Sequence, residues 1–167
     1  MVSKLSSSMK IANNLAKLIM NKGTIVECQE IGLGWIIKLV SKSEPLFGKK
    51  FVFEESGDIT IRLPGWRGWS SGAEMIRDKV QESLGKTIEN VEIKEECIEI
   101  FIKDWLYMRI MHSDYSMDWE WTIYPESEPA KRQLSVVSEQ HGKIWSRYPG
   151  SLARYVEPSS EFRGHNT

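Results

Sequence analysis

Residues 91–124 read VEIKEECIEIFIKDWLYMRIMHSDYSMDWEWTIY, and this stretch decides the fold. Val91 and Ile93 point one way. After Glu95-Glu96, the apolar residues Ile98, Ile100 and Ile102 alternate strictly. After Asp104-Trp105, Leu106, Met108 and Ile110 do the same, and after Asp114-Tyr115-Ser116 so do Trp119, Trp121 and Ile123. Successive side chains of an extended chain leave on opposite faces, so this period marks strands with one buried face. Short polar turns between them predict antiparallel neighbours.

Upstream of this block the apolar spacing becomes helical. Ala73, Ile76, Val80 and Leu84 make one stripe, Ser71 and Glu74 stand at capping-box spacing, and Gly85 ends the helix. Further back lies a second strand block. Thr24–Glu30 and Trp35–Val40 flank a turn at Gly32-Leu33-Gly34. Phe51 and Phe53, then Ile59, Ile61 and Leu63, flank a turn at Ser56-Gly57-Asp58. A helix over 6–22 precedes it, with caps among Ser6–Ser8, a face of Ala12, Leu15, Ala16 and Ile19, and Gly23 as its left-handed terminator.

The fold class expected is therefore α+β, with antiparallel meanders packed against two helices. The halves 6–63 and 71–124 read as a helix-plus-meander pseudo-repeat within one domain, 1–124, because Thr24-Ile25 and Thr87-Ile88 fall at the same place in each. Four of the six prolines lie beyond residue 124. Residues 125–157 are expected as an irregular extension with a hairpin pairing Gln133–Ser138 with Lys143–Arg147, and 158–167 as a frayed tail.

Length and charge bound the function. A chain of 167 residues buries enough surface to fold without disulfides or metal. Its two cysteines, Cys28 and Cys97, read as free thiols of a reducing cytoplasm. Lysines interrupt the first apolar run, which argues against a signal peptide, and no apolar stretch spans a membrane. Met9 offers an alternative start after a polar, unpatterned Met1–Ser8. A formal net charge of −1 argues against nucleic acid as the partner. That total conceals a segregation. Residues 85–124 hold nine acidic and four basic side chains, a local −5, whereas Lys4, Lys10, Lys17 and Lys22 precede Gly23 without an acid.

No phosphate loop, H-E-x-x-H, C-x-x-C or nucleophile elbow is present, and His112, His141 and His165 are far apart. No catalytic residue, metal or cofactor is expected. The binding candidates are of two kinds. Trp66, Arg67 and Trp69 lie in a glycine-rich loop and are residue types enriched at binding hot spots. Glu92, Glu95, Glu96, Glu99 and Asp104 form the acidic part of the strand block, suited to a basic partner.

Gly85-Lys86-Thr87-Ile88, Val91, the alternating Ile98–Ile102, Asp104, Leu106–Ile110 and Trp119-Glu120-Trp121-Thr122-Ile123 together resemble small bacterial immunity proteins of polymorphic toxin and contact-dependent inhibition systems. The resemblance covers about a quarter of the chain by residue count and transfers no individual residue. It implies a cytoplasmic, non-enzymatic inhibitor that binds a toxin domain and occludes its basic cleft. Two alternatives stay open. One is a secretion chaperone or adaptor holding an extended segment. The other is a small-ligand-binding protein or enzyme without a recognisable motif.

Overall fold

A computed structural model of the chain describes residues 7–32, 34–56, 59–112, 119–127, 133–139 and 143–158. The fold is α+β, as the periodicities predict. Helix α1 (Ser7–Met20) is followed by strands β1 (Thr24–Ile31), β2 (Gly34–Val40), β3 (Lys50–Glu55) and β4 (Ile59–Arg62). Helix α2 (Ala73–Gln81) is followed by β5 (Ile88–Ile93), β6 (Cys97–Ile102), β7 (Leu106–Met111) and β8 (Trp119–Pro125). Strands β9 (Ser135–Glu139) and β10 (Lys143–Arg147), a 3-10 turn over Gly150–Leu152 and a short helix α3 (Ala153–Val156) complete the order.

All the strand pairs are antiparallel and form two sheets, ordered β1-β2-β3-β8-β9-β10 and β4-β7-β6-β5. The order discloses an exchange. The first three strands of each half form a meander, but the fourth strand crosses to the other half's sheet: β4 pairs with β7, and β8 pairs with β3. Each strand's alternating pattern satisfies either sheet equally well, since both bury one face.

The two halves meet where their sequences agree. Thr24 and Thr87 form an antiparallel bridge. Around it the hydrogen bonds come in matched pairs offset by 63 residues, as 22 is from 85 and 25 from 88. Lys22 N–H donates to Ile88 C=O (2.7 Å) and Gly85 N–H to Ile25 C=O (2.8 Å); Ile25 N–H donates to Lys86 C=O (2.9 Å) and Ile88 N–H to Gly23 C=O (2.8 Å). Bulges follow at matched places, between Ile25 and Glu27 and between Ile88 and Asn90. A local two-fold therefore runs through the Thr24–Thr87 bridge.

A single apolar core joins both sheets and the helices. Trp35, Leu39, Phe51, Phe53, Trp121 and Ile123 line it from the larger sheet, and Ile61, Ile98, Ile100, Ile102, Leu106 and Met108 from the smaller. Ala12, Leu15, Ala16, Ile19 and Met20 give α1 its buried face. Trp35 and Trp121 are core residues, as their strand positions predict, because large rings gain most from leaving water. Residues 133–139 and 143–158 belong to this body and not to an irregular appendage. The expected hairpin forms, β9 extends the larger sheet beside β8, and the α3 residue Val156 is buried in the core.

Three local expectations are corrected. The left-handed residue ending α1 is Lys22 (φ 66°), not Gly23. Gly23 serves close approach, since a Cβ there would lie 3.0 Å from the Met20 and 3.1 Å from the Val40 carbonyl oxygens. The capping box at Ser71/Glu74 does not form, because the N-cap of α2 is Gly72 and no side chain caps it. Of the stripe expected on α2, Ile76 and Val80 are buried, but Ala73 is exposed and Leu84, beyond the helix end, is 56% exposed. The expected tail beyond Pro158 lies outside the described residues.

Candidate functional site

The loop between β4 and α2 is fixed at its neck. Ile61 and Ser70 exchange both backbone hydrogen bonds, at 3.0 and 2.8 Å. Inside it, Leu63-Pro64-Gly65-Trp66 makes a turn closed by Trp66 N–H to Leu63 C=O (3.0 Å). Pro64 presets its first central position, and Gly65, at φ 90°, supplies the second, a type II pattern. The loop thus carries Arg67 exposed at its tip and returns Trp69, half-buried, onto the outer face of the smaller sheet.

That outer face is built by register. Arg62 of β4 pairs with Tyr107 of β7, which pairs with Phe101 of β6; in the next row Thr60, Arg109, Glu99 and Glu92 stand abreast. The Arg62 guanidinium lies 4.5 Å from the Tyr107 ring centre and 5.3 Å from that of Trp69, and Arg109 lies 4.2 Å from Trp69. Tyr107 stacks in turn on Phe101, with ring centres 4.3 Å apart. Two guanidinium groups therefore share one indole. Cation–π attraction of about 0.5–2 kcal/mol each holds them there. The Nε atoms of both are buried with no acceptor. Arg62 Nη1 donates a long bond to Trp66 C=O (3.4 Å), and among the described residues neither arginine has a carboxylate within ion-pair distance.

The acidic candidates do not share one face. Glu92 and Glu99 are neighbours across β5 and β6, but each has a basic partner: Lys17 of α1 for Glu92, and Lys94, 2.6 Å away, for Glu99. The bond to Glu99 raises the Lys94 pKa above the usual lysine range. Glu95 and Glu96 are exposed in the β5–β6 turn. Asp104 sits in the β6–β7 turn at the far end of β6, about 20 Å away at the rise of an extended strand. Glu120 is buried and accepts a bond from Ser138 Oγ (3.0 Å), and Asp114 and Asp118 lie outside the described residues. The window total of −5 therefore mixes the outer face and both ends of the smaller sheet with a buried residue of the larger one.

Of the lysines in this N-terminal segment, Lys17 is engaged, between two asparagines. Asn13 Oδ1 accepts the Ile93 N–H (2.8 Å), Asn21 Oδ1 accepts the Val91 N–H (2.9 Å), and between them Lys17 reaches Asn90 Oδ1 (2.9 Å). This stripe closes the free edge of β5, a strand edge that otherwise invites pairing with another chain.

Arg62, Tyr107 and Arg109 were not candidates by sequence, although each sits at the polar phase of a strand alternation. Both ring nitrogens of His112 are engaged, Nε2 accepting from Trp121 Nε1 (3.2 Å) and Nδ1 facing Glu95 C=O (3.1 Å). His141 and His165 lie outside the described residues. Burial, with Glu27 alongside, pushes the Cys28 thiol up to about 11, so it stays a neutral thiol near pH 7. No group of three metal-ligating side chains occurs among the described residues. A cavity of about 190 Å³ is lined by Pro45, Leu46, Lys49, Leu134, Pro149 and Leu152, among others, with no carboxylate or imidazole. No helix among the described residues is long and apolar enough to cross a membrane.

No family model matches the chain, and no curated protein or solved structure matches it either.

Proposed function

We propose that this chain is a non-enzymatic protein-binding module that docks its partner on the Trp66–Trp69 loop and the outer face of the smaller sheet. The carrying observation is Trp69, held over Arg62 and Arg109 by a loop pinned at Ile61–Ser70. Trp, Tyr and Arg are the residue types in which binding energy concentrates, and here they adjoin on one partly exposed platform. Its concrete form, from the resemblance, is a cytoplasmic immunity protein that neutralises a toxin domain, with Glu95, Glu96 and Asp104 as acidic contacts at the two ends of β6.

The test uses the polypeptide encoded by the adjoining reading frame as the candidate toxin. Isothermal titration should give one-to-one binding, and Trp69→Ala should weaken it by more than tenfold, since a hot-spot truncation costs about 2 kcal/mol or more. Glu95→Lys with Glu96→Lys should weaken it further if the cleft is basic. Binding unaffected by Trp69→Ala and Trp66→Ala would overturn the platform as the docking surface.

A second reading, an adaptor that holds an extended segment, is favoured by β1. Counting from the Ile31–Gly34 pair at the hairpin end, the N–H groups of Cys28 and Glu30 point away from β2, toward the open edge. An extended peptide would add a strand there. The cavity lined by Leu46 and Leu134, about 190 Å³, falls below the roughly 300–1,000 Å³ usual for ligand sites and does not carry the small-ligand reading.

A further inference from the structure

We propose that Arg62 and Arg109 form the seat for an acidic side chain of a protein partner, so that the outer face of the smaller sheet recognises an acidic segment. This rests on the reading of that face as a protein-docking surface.

The charge balance of the face carries the inference. Its two carboxylates, Glu92 and Glu99, are matched by Lys17 and Lys94. Arg62 and Arg109 remain, drawn to the same indole with no counter-ion among the described residues. Register places Glu99 directly opposite Arg109, yet its carboxylate is held by Lys94 at 2.6 Å. Two like charges beside one ring repel each other, and an anion between them relieves that repulsion. The Nε of each guanidinium is buried without an acceptor, Arg62 Nη1 holds only a long bond to Trp66 C=O (3.4 Å), and both side chains are half-buried and not enclosed. A guanidinium fork is shaped for the two oxygens of a carboxylate.

The surroundings favour a peptide over a nucleic acid. Glu92 and Glu99 stand in the same row as Arg109, and the chain carries a net −1, both unfavourable to a polyanion tracking along the face. Trp69, Tyr107 and the exposed Met111 offer apolar contact beside the seat, which suits a single acidic residue flanked by apolar ones.

The test titrates the full chain with acetylated hexaglutamate amide, following the Trp69 indole and Arg109 Nε–H signals by NMR. Hexalysine, inorganic phosphate and a deca-thymidine strand are run beside it. Hexaglutamate should shift both signals and saturate. Arg62→Gln with Arg109→Gln should weaken binding at least tenfold, and the Arg→Lys pair, which keeps the charge but loses the fork, should fall between. Dispersion of the remaining signals reports whether each variant is folded. Stronger shifts by deca-thymidine or phosphate would overturn the proposal in favour of a phosphate ligand. Shifts by hexalysine alone, or by none of the probes, would also overturn it. The adjoining-frame polypeptide separates the two levels. If it binds wild type and the Gln pair equally, the seat is wrong and the docking surface stands. If Trp69→Ala and Trp66→Ala also leave that binding unchanged, the docking surface falls too.

Discussion

Strands β1 and β5 stand in equivalent places about the local two-fold, and a helix lies beside the outer edge of each, yet the two edges are closed by different chemistry. Beside β5, α1 presents Asn13, Lys17 and Asn21, and the two asparagines accept the Ile93 and Val91 N–H groups. Sixty-three residues on from 13, 17 and 21, the positions 76, 80 and 84 hold Ile76, Val80 and Leu84. Ile76 and Val80 are buried and Leu84 is largely exposed, but none can accept a hydrogen bond. What ties α2 to β1 by charge is an exposed pair, Arg77 with Glu30 at 2.9 Å, of a kind that contributes about 0–1 kcal/mol. Among the described residues, a polar stripe thus seals one edge of the molecule, and its apolar counterpart leaves the other open.

The largest test removes the seal. Replacing Asn13 and Asn21 by leucine leaves the Val91 and Ile93 N–H groups facing a helix with no acceptor. An orphaned buried donor costs about 1–3 kcal/mol, so the double variant should lose several kcal/mol in a urea titration. That is a large share of the roughly 5–15 kcal/mol typical of whole domains. In wild type, the Val91 and Ile93 amides should exchange with deuterium roughly tenfold or more slowly than those of Cys28 and Glu30. Equal rates would mean the edges are equally closed and would dissolve the comparison.

A smaller effect is expected where the two halves solve one turn in opposite order. Positions 22 and 23 are Lys-Gly, positions 85 and 86 are Gly-Lys, and both first positions have positive φ, 66° and 83°. Gly85→Lys should cost about 1 kcal/mol, since a Cβ is strained there. Lys22→Gly should change stability by less. It relieves the same strain but gives the unfolded chain more freedom to lose. A loss beyond about 1 kcal/mol for Lys22→Gly would mean that the Lys22 side chain itself holds the junction.

Much of this architecture was legible in the sequence, for a physical reason. Burial of one sheet face imposes the alternation Ile98–Ile100–Ile102, and that pattern survives whatever the strand pairs with. For the same reason the exchange of β4 and β8 was invisible, because Ile59 and Ile61 fit either sheet. The agreement of Thr24-Ile25 with Thr87-Ile88 did mark a contact, since a bridge on a two-fold pairs like with like. Asn13 and Asn21 read only as interruptions in an apolar run, and their function needs the edge of β5, 80 and 70 residues further along the chain. Trp69 was legible as a residue type. Arg62 and Arg109 were not, because a sum over a sequence window cannot tell which carboxylates already have a lysine.

The smallest expected effect is the sharpest transplant. Leu84 stands where Asn21 stands in the other half, just past the helix end, and its side chain is 56% exposed. Leu84→Asn therefore gives up little burial and brings an acceptor to the place from which Asn21 reaches the Val91 N–H. The equivalent donor is the Cys28 N–H, which register turns toward the open edge. If the two-fold extends to side chains, the variant gains up to about 1 kcal/mol, the usual net worth of one hydrogen bond, and exchange of the Cys28 amide slows while that of Val91 is unchanged. Leu84→Ser, too short to reach, should stay within about 0.5 kcal/mol of wild type. A loss of more than about 1.5 kcal/mol in both variants would show that Leu84 itself closes the β1 edge. The molecule would then have two sealed edges, and the adaptor reading would lose the open strand on which it stands.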